Sequence, residues 1–282
     1  ETGLTTSGNT TLSSTGTVTQ SAAITAAGLE LLGSGGIYTL TNTSNAITTL
    51  AGNTGTVSLA EGSGFAIGTV NTIGLRTSGN TTLNVNGTVT QSNLINVAGL
   101  ELLGNNGTYT LTNSSNAVTT LAGNTKIVSL TEDSGLAIGT VNTVGLTTSG
   151  NITLTINGTV TQDQIVAAAG LELLGNNGTY TLTNTGNTIT TLAGNTKIIS
   201  FAGNSGFAIG TVNTAGLTTS GNTTLSSTGG ITLSNNVTSG GSQTYSGNVV
   251  LTANTTLATT NSNVSFGGTL NGSAAGKTLT IT

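Results

Sequence analysis

The segments 36–42, 107–113 and 178–184 read GIYTLTN, GTYTLTN and GTYTLTN. Tyr38, Tyr109 and Tyr180 recur, as do Leu40, Leu111 and Leu182, while Ile37 gives way to Thr108 and Thr179. Alternation of this kind puts Tyr and Leu on the inner face of a β-strand and the Thr positions on the outer face. Two more sets behave the same way. Val57 and Leu59 match Val128 and Leu130, then Ile199 and Phe201; Phe65 and Ile67 match Leu136 and Ile138, then Phe207 and Ile209. Only volume-conserving apolar exchanges occur there, as a packed core tolerates. The pattern predicts short half-buried strands separated by bends rich in Gly, Asn and Ser.

A longer period organises the strands. GLTTSGNTTL at Gly3 returns as GLRTSGNTTL at Gly74, GLTTSGNITL at Gly145 and GLTTSGNTTL at Gly216, at a constant 71-residue interval. A fixed period signals a solenoid or array. Within it, three phrases end on Gly28, Gly52 and Gly74, then on Gly99, Gly123 and Gly145, then on Gly170, Gly194 and Gly216, and Gly241 continues the series. The steps of 24, 22 and 25 positions each match the length of one β-solenoid turn. The expected fold is all-β, a parallel β-helix of about three short strands per turn, with three turns per repeat. The marker glycines are expected at corners, where φ > 0 is needed. Missing Pro fits strands paired on both edges, and stacked Asn and Thr suit hydrogen-bonded ladders along the axis. Residues 1–240 read as solenoid of 71-residue repeats, and 241–282 as continuing turns of a different repeat type. About twelve turns at roughly 4.8 Å give a rod of roughly 55–60 Å. The chain opens in the middle of a repeat and is expected to be a piece of something longer.

Composition narrows the classes. The 282 residues include 43 Gly and no Pro, Cys, His, Met or Trp; 4% are charged and the net charge is −4. Disordered chains combine low hydrophobicity with high net charge, whereas mean hydropathy here is +0.20. Scarce Glu, Lys, Gln and Arg beside abundant β-branched residues and Gly disfavour helix. Absent cysteine removes disulfides, thiol nucleophiles and thiolate metal sites. Acidic balance with four scattered basic residues argues against nucleic acid or anionic lipid as partner. No run of eighteen apolar residues exists to form a spanning helix.

The phrases TVTQ, ITAAGLELLG, YTLTN, ITTLAGNT and GTVNT, together with GLTTSGNTTL, resemble the tandem repeats of filamentous-haemagglutinin-type exoproteins. The tail GSQTYSGNVVL…TTL…VSFGGTLNG resembles a second repeat type of the same bacterial proteins. The resemblance covers nearly the whole chain. It implies a right-handed parallel β-helix, exported through the outer membrane by a dedicated partner pore and displayed or released as an adhesin or biofilm component. Its implied partners are further copies or repeats of itself and surface glycans or proteins of host or neighbouring cells. The amino-terminal secretion domain of that family is not visible in these residues.

Candidate chemistry is sparse. GLELLG occurs at 28–33, 99–104 and 170–175, and carries Glu30, Glu101 and Glu172, three of only eight acidic residues. Glycoside hydrolysis normally needs two carboxylates roughly 5–10 Å apart. Glutamates recurring every three turns would stand roughly 14 Å apart along one face. Each lies between inward Leu residues, so it is expected to point outward as a solvated charge that discourages lateral sheet stacking. Glu132 and Asp133 form the densest acidic spot, in the corner LTEDSG. The aligned corners carry Glu61 or no acid, and none has the dense carboxylate loop of a tight Ca²⁺ site. Without His or Cys, the many Ser and Thr lack a base. Lys126 and Lys197 read as solvated corner residues where the first repeat has Gly55. Arg76 stands where Thr5, Thr147 and Thr218 stand elsewhere, and reads as drift. NGSAAGKT at 271–278 resembles a phosphate loop but starts on Asn and precedes only LTIT. Sequons recur at Asn9, Asn80, Asn151 and Asn222. No catalytic, cofactor-binding or metal-ligating residue is assigned, and no enzyme activity is expected.

The leading expectation is an extracellular or cell-surface structural and adhesive solenoid. With no capping segment visible, it either continues into further repeats or stacks end to end. One alternative is ice binding. Thr39 and Thr41, Thr54 and Thr56, and Thr88 and Thr90 form T-x-T pairs, yet their offsets from the preceding Gly predict no continuous face. The other is a polysaccharide-cleaving β-helix, which lacks paired acids, His and clustered Arg.

Overall fold

The computed structural model describes residues 3–282. It is all-β: 28 strands pair in parallel and stack in about 13 turns to form a β-solenoid, and no helix occurs among the described residues. The chain divides into two units, Glu1–Ser149 and Gly150–Thr282, each built from the same kind of turn.

Strand Ile24–Leu40 shows how the sequence makes one. Ile24, Ala26, Leu29, Leu31, Tyr38 and Leu40 are buried, and the alternation slips at Ala27–Gly28 and again at 33–37, where the chain bends from one flat of the turn to the next. Pairing runs Thr10↔Leu29↔Leu50 and Val18↔Tyr38↔Val57, so inward side chains stack on one another from turn to turn. The Tyr38 hydroxyl lies 2.8 Å from the Leu12 carbonyl and 2.5 Å from that of Leu32, which satisfies its one polar atom inside the core. Every inward residue expected from the repeats is buried: the three Tyr–Leu pairs, the Val57, Val128 and Ile199 series, and the Phe65, Leu136 and Phe207 series with their partners.

The glycine markers divide. Gly74, Gly145 and Gly216 lie at bends with φ of 74°, 76° and 72°, as a left-handed corner requires. Gly28, Gly99 and Gly170 stand at a bend between flats, but not a left-handed one. They lie inside long strands without positive φ, as do Gly52, Gly123 and Gly194. The bend after GLELLG is made by its last residue, Gly33, Gly104 or Gly175.

The repeat also does not close on whole turns. Partners one turn apart mostly differ by 19 to 24 positions, as in Thr11↔Glu30, Leu4↔Ile24 and Leu59↔Leu83. Traced back from Glu101, the ladder runs through Thr82, Ser58 and Thr39 to Thr19, and never meets Glu30. Thr39 lies on the flat that follows the one holding Glu30, in the same strand. Three steps separate Thr39 from Glu101, so one repeat amounts to three and one third turns. The expectation that Glu30 and Glu101 stack on one face three turns apart is therefore corrected. Alternation along a strand says which side a residue faces, not which flat it occupies.

After Leu217 the turns become plain. Strands Leu217–Thr219, Val237–Ser239, Thr255–Thr259 and Leu279–Ile281 stack in sequence, with two matching columns between them. Asn222, Asn236, Asn248 and Asn254 each accept a hydrogen bond from a backbone N–H of the next turn, at 2.8–3.2 Å. This is the Asn ladder in a one-sided form, side chain to backbone.

Candidate functional site

The outward face of GLELLG is where the molecule departs most from expectation. Glu30 does point away from the core, but it is not solvated: Glu30, Glu101 and Glu172 are 1%, 1% and 0% exposed. The cover is the phrase GTVNT. Leu50 pairs with Ile67 and Gly52 with Leu75, so residues 68–74 bulge out where a partner for Ala51 would stand. The bulge is pinched by a Thr69↔Ile73 bridge and by Gly74 N–H donating to the Gly68 carbonyl at 2.8 Å. It folds back over Ala51 onto Glu30.

The carboxylate receives the loop. Asn71 and Thr72 backbone N–H groups donate to Glu30 Oε1 at 3.2 and 2.6 Å; Asn71 Nδ2 and Thr11 Oγ1 donate to Oε2 at 2.7 and 2.8 Å. Val70 lies on Gly28, where a Cβ would stand 3.0 Å from Val70 Cγ2 and 2.5 Å from Asn9 Oδ1. Gly28 is thus a platform for the loop. The same lock forms between Glu101 and Asn142, Thr143 and Thr82, and between Glu172 and Asn213, Thr214 and Thr153. Burial alone would raise the Glu30 pKa. The hydrogen bonds from Asn71, Thr11 and Thr72 outweigh it and hold the carboxyl down at about 2. Glu101 and Glu172 are lowered by the same balance.

The other acidic corner works differently. Glu132 is buried; Val118 N–H and Ser134 Oγ donate to it, both at 2.9 Å. Two bonds do not offset burial, and its carboxyl is pushed up to about 7. The aligned Glu61 is buried too, and closes its own corner on Ser63 and Gly64. These are structural carboxyls, not an open acidic patch. No group of three or more His, Cys, Asp or Glu converges among the described residues.

The remaining candidates fall as follows. Lys126 and Lys197 are exposed. A strand, Leu279–Ile281, follows the segment 271–278, not the helix a phosphate loop needs. The Asn9 side chain lies against Gly28, and Asn222 is occupied by Ser242 N–H. As their spacing predicts, the pairs Thr39 and Thr41, Thr54 and Thr56, and Thr88 and Thr90 do not stack on one another, but a later pair begins a row. Thr159 and Thr161 stack on Thr179 and Thr181, and the second row continues through Ser200, Thr224, Thr244 and Ser265.

Two features escaped the sequence. Gln20 and Asn45 exchange amide hydrogen bonds at 2.8 and 2.9 Å across a turn, as do Gln91 with Asn116 and Gln162 with Asn187. Their constant offset of 25 positions in all three repeats was the available signal. Second, Arg76 lines a depression of about 430 Å³ with Gly52, Asn53, Asn71, Thr72 and Ile73, beside the first lock. Comparison with family models, curated proteins and solved structures returned no match.

Proposed function

We propose that this chain is a structural and adhesive segment of a bacterial exoprotein of the filamentous-haemagglutinin type. In this reading it is exported to the cell surface or beyond, is not an enzyme, and acts by holding binding surfaces out on a stiff solenoid. Its partners are further repeats or copies of itself and glycans or proteins of opposing surfaces. The observation that carries the reading is how the acids are used. Five of the eight, Glu30, Glu61, Glu101, Glu132 and Glu172, are buried and hydrogen-bonded to their own chain. Carboxylates committed to tying turns together suit a scaffold, whose stability is a sum over neighbouring turns. The test is negative-stain microscopy of the purified chain at rising concentration, with antibody labelling of intact cells of its source. Filaments or extended particles with surface labelling are expected. Compact particles at all concentrations, or labelling only after lysis, would overturn the reading.

Ice binding is the second reading, and the hydroxyl row from Thr161 to Ser265 favours it over six turns. The neighbouring row is interrupted at Ile198, so the two-row lattice lasts only two turns. Thermal hysteresis of a dilute solution decides it.

A further inference from the structure

We propose that the first lock carries a binding site for a carboxylated sugar, centred on Arg76. The three loops and the strands after them run GTVNTIGLRTSGNTTL, GTVNTVGLTTSGNITL and GTVNTAGLTTSGNTTL, and differ at only three positions. One, Thr81, is buried and faces inward. The other two are Ile73 and Arg76, which line the same depression. The anchor of the loop and its exposed Thr69 and Asn71 are constant, while exposed Ile73 and, just after the loop, exposed Arg76 vary.

Arg76 is the chain's only arginine. It stacks between Asn53 and Asn96, and no carboxylate pairs with it among the described residues. Glu30 is spent on the loop. A free guanidinium takes a carboxylate through two parallel hydrogen bonds. Asn71 commits its Nδ2 to Glu30, which leaves its carbonyl oxygen, with the Asn53 amide, for hydroxyl groups. Ile73, 62% exposed, offers an apolar contact to the C–H face of a ring. Carboxylate, hydroxyls and a C–H face together describe a uronic-acid residue. An acidic peptide would use Arg76 and leave the amides to water.

This inference refines the adhesive reading by naming a ligand, but its test is independent of it. The isotope-labelled chain is titrated with trigalacturonate at 150 mM salt and followed by NMR. Parallel titrations use acetate at equal carboxylate concentration and a neutral trisaccharide. Saturable shifts are expected at Asn53, Asn71, Ile73 and Arg76, with none at Asn124, Asn142, Val144 and Thr147 of the second lock. Arg76→Thr reproduces the residue of the other repeats, so it keeps the fold; it should weaken binding at least tenfold, and Arg76→Lys less. Absence of saturable shifts, acetate matching the trisaccharide, equal shifts at both locks, or an unaffected Arg76→Thr would each overturn the proposal. Filaments seen by microscopy would survive any of these results.

Discussion

Glu101 and Glu132 lie in one unit, are both buried and both accept backbone hydrogen bonds, yet their carboxyls move in opposite directions. Burial acts more strongly on Glu132, and it has fewer donors. Glu101 receives two backbone N–H groups, an amide and a hydroxyl; Glu132 receives one N–H and one hydroxyl. Burial disfavours the charge in both, and only the fuller shell reverses it. A solenoid turn can therefore carry a buried carboxylate as a fastening when a loop is spent on it; Glu132, with no such loop, is instead a weak acid near neutrality.

The largest effect should come from emptying the shell. Glu101→Ala leaves the Asn142 and Thr143 amides without their acceptor, at a cost of about 3 kcal/mol. Urea unfolding should report it, and hydrogen exchange at those two amides should rise well above that of the intact Glu30 lock. Equal protection in variant and parent would show that the loop holds without its carboxylate. Gly99→Ala attacks the same lock from below, since a Cβ there would meet Asn80 Oδ1 at 2.5 Å and Val141 Cγ2 at 3.1 Å. Overpacking of this kind costs about 1–3 kcal/mol, and the Val141 methyl resonances should move.

The pH dependence separates the two kinds of carboxyl. Glu30 is lowered from 4.5 to about 2, so its contribution is present above pH 4.5 and is lost as pH falls towards 2. Glu132 is raised from 4.5 to about 7, so its contribution is full below pH 4.5 and is lost as pH rises towards 7. Glu132→Gln should therefore raise the melting temperature at pH 8 and leave it nearly unchanged at pH 4. A variant equally stable to its parent at pH 8 would place the Glu132 carboxyl in water. The smallest effect is expected of Arg76→Thr, within about 0.5 kcal/mol in thermal unfolding, as for an exposed side chain without a partner.

Much of this was legible in the chain. Repeat comparison alone picked out the inward series of Tyr38, Val57 and Phe65, because a packed interior restricts exchange and an outer face does not. It also placed Glu30 on the outer side. What covers that side comes from residues 41 and 42 positions later, and alternation within a strand holds no information about it. The phrase GTVNT was visible as a constant, but its meaning needed the extra segment at 68–74 to be seen as a bulge. Nor could the sequence put Arg76 beside Ile73 in one depression, since Ile73 belongs to that bulge. The glycines misled where one residue type serves two needs, left-handed backbone at Gly74 and mere room at Gly28.

The fractional turn count makes the repeat a unit of direction as well as of length. Within one continuous stack, gain or loss of a repeat copy turns the next repeat through about a third of a revolution. Three copies, or ten turns, restore the original aspect after roughly 48 Å. Variants of such a chain that differ in copy number would therefore turn the same outward residues to different compass points, so that a change of length alone could redirect a face.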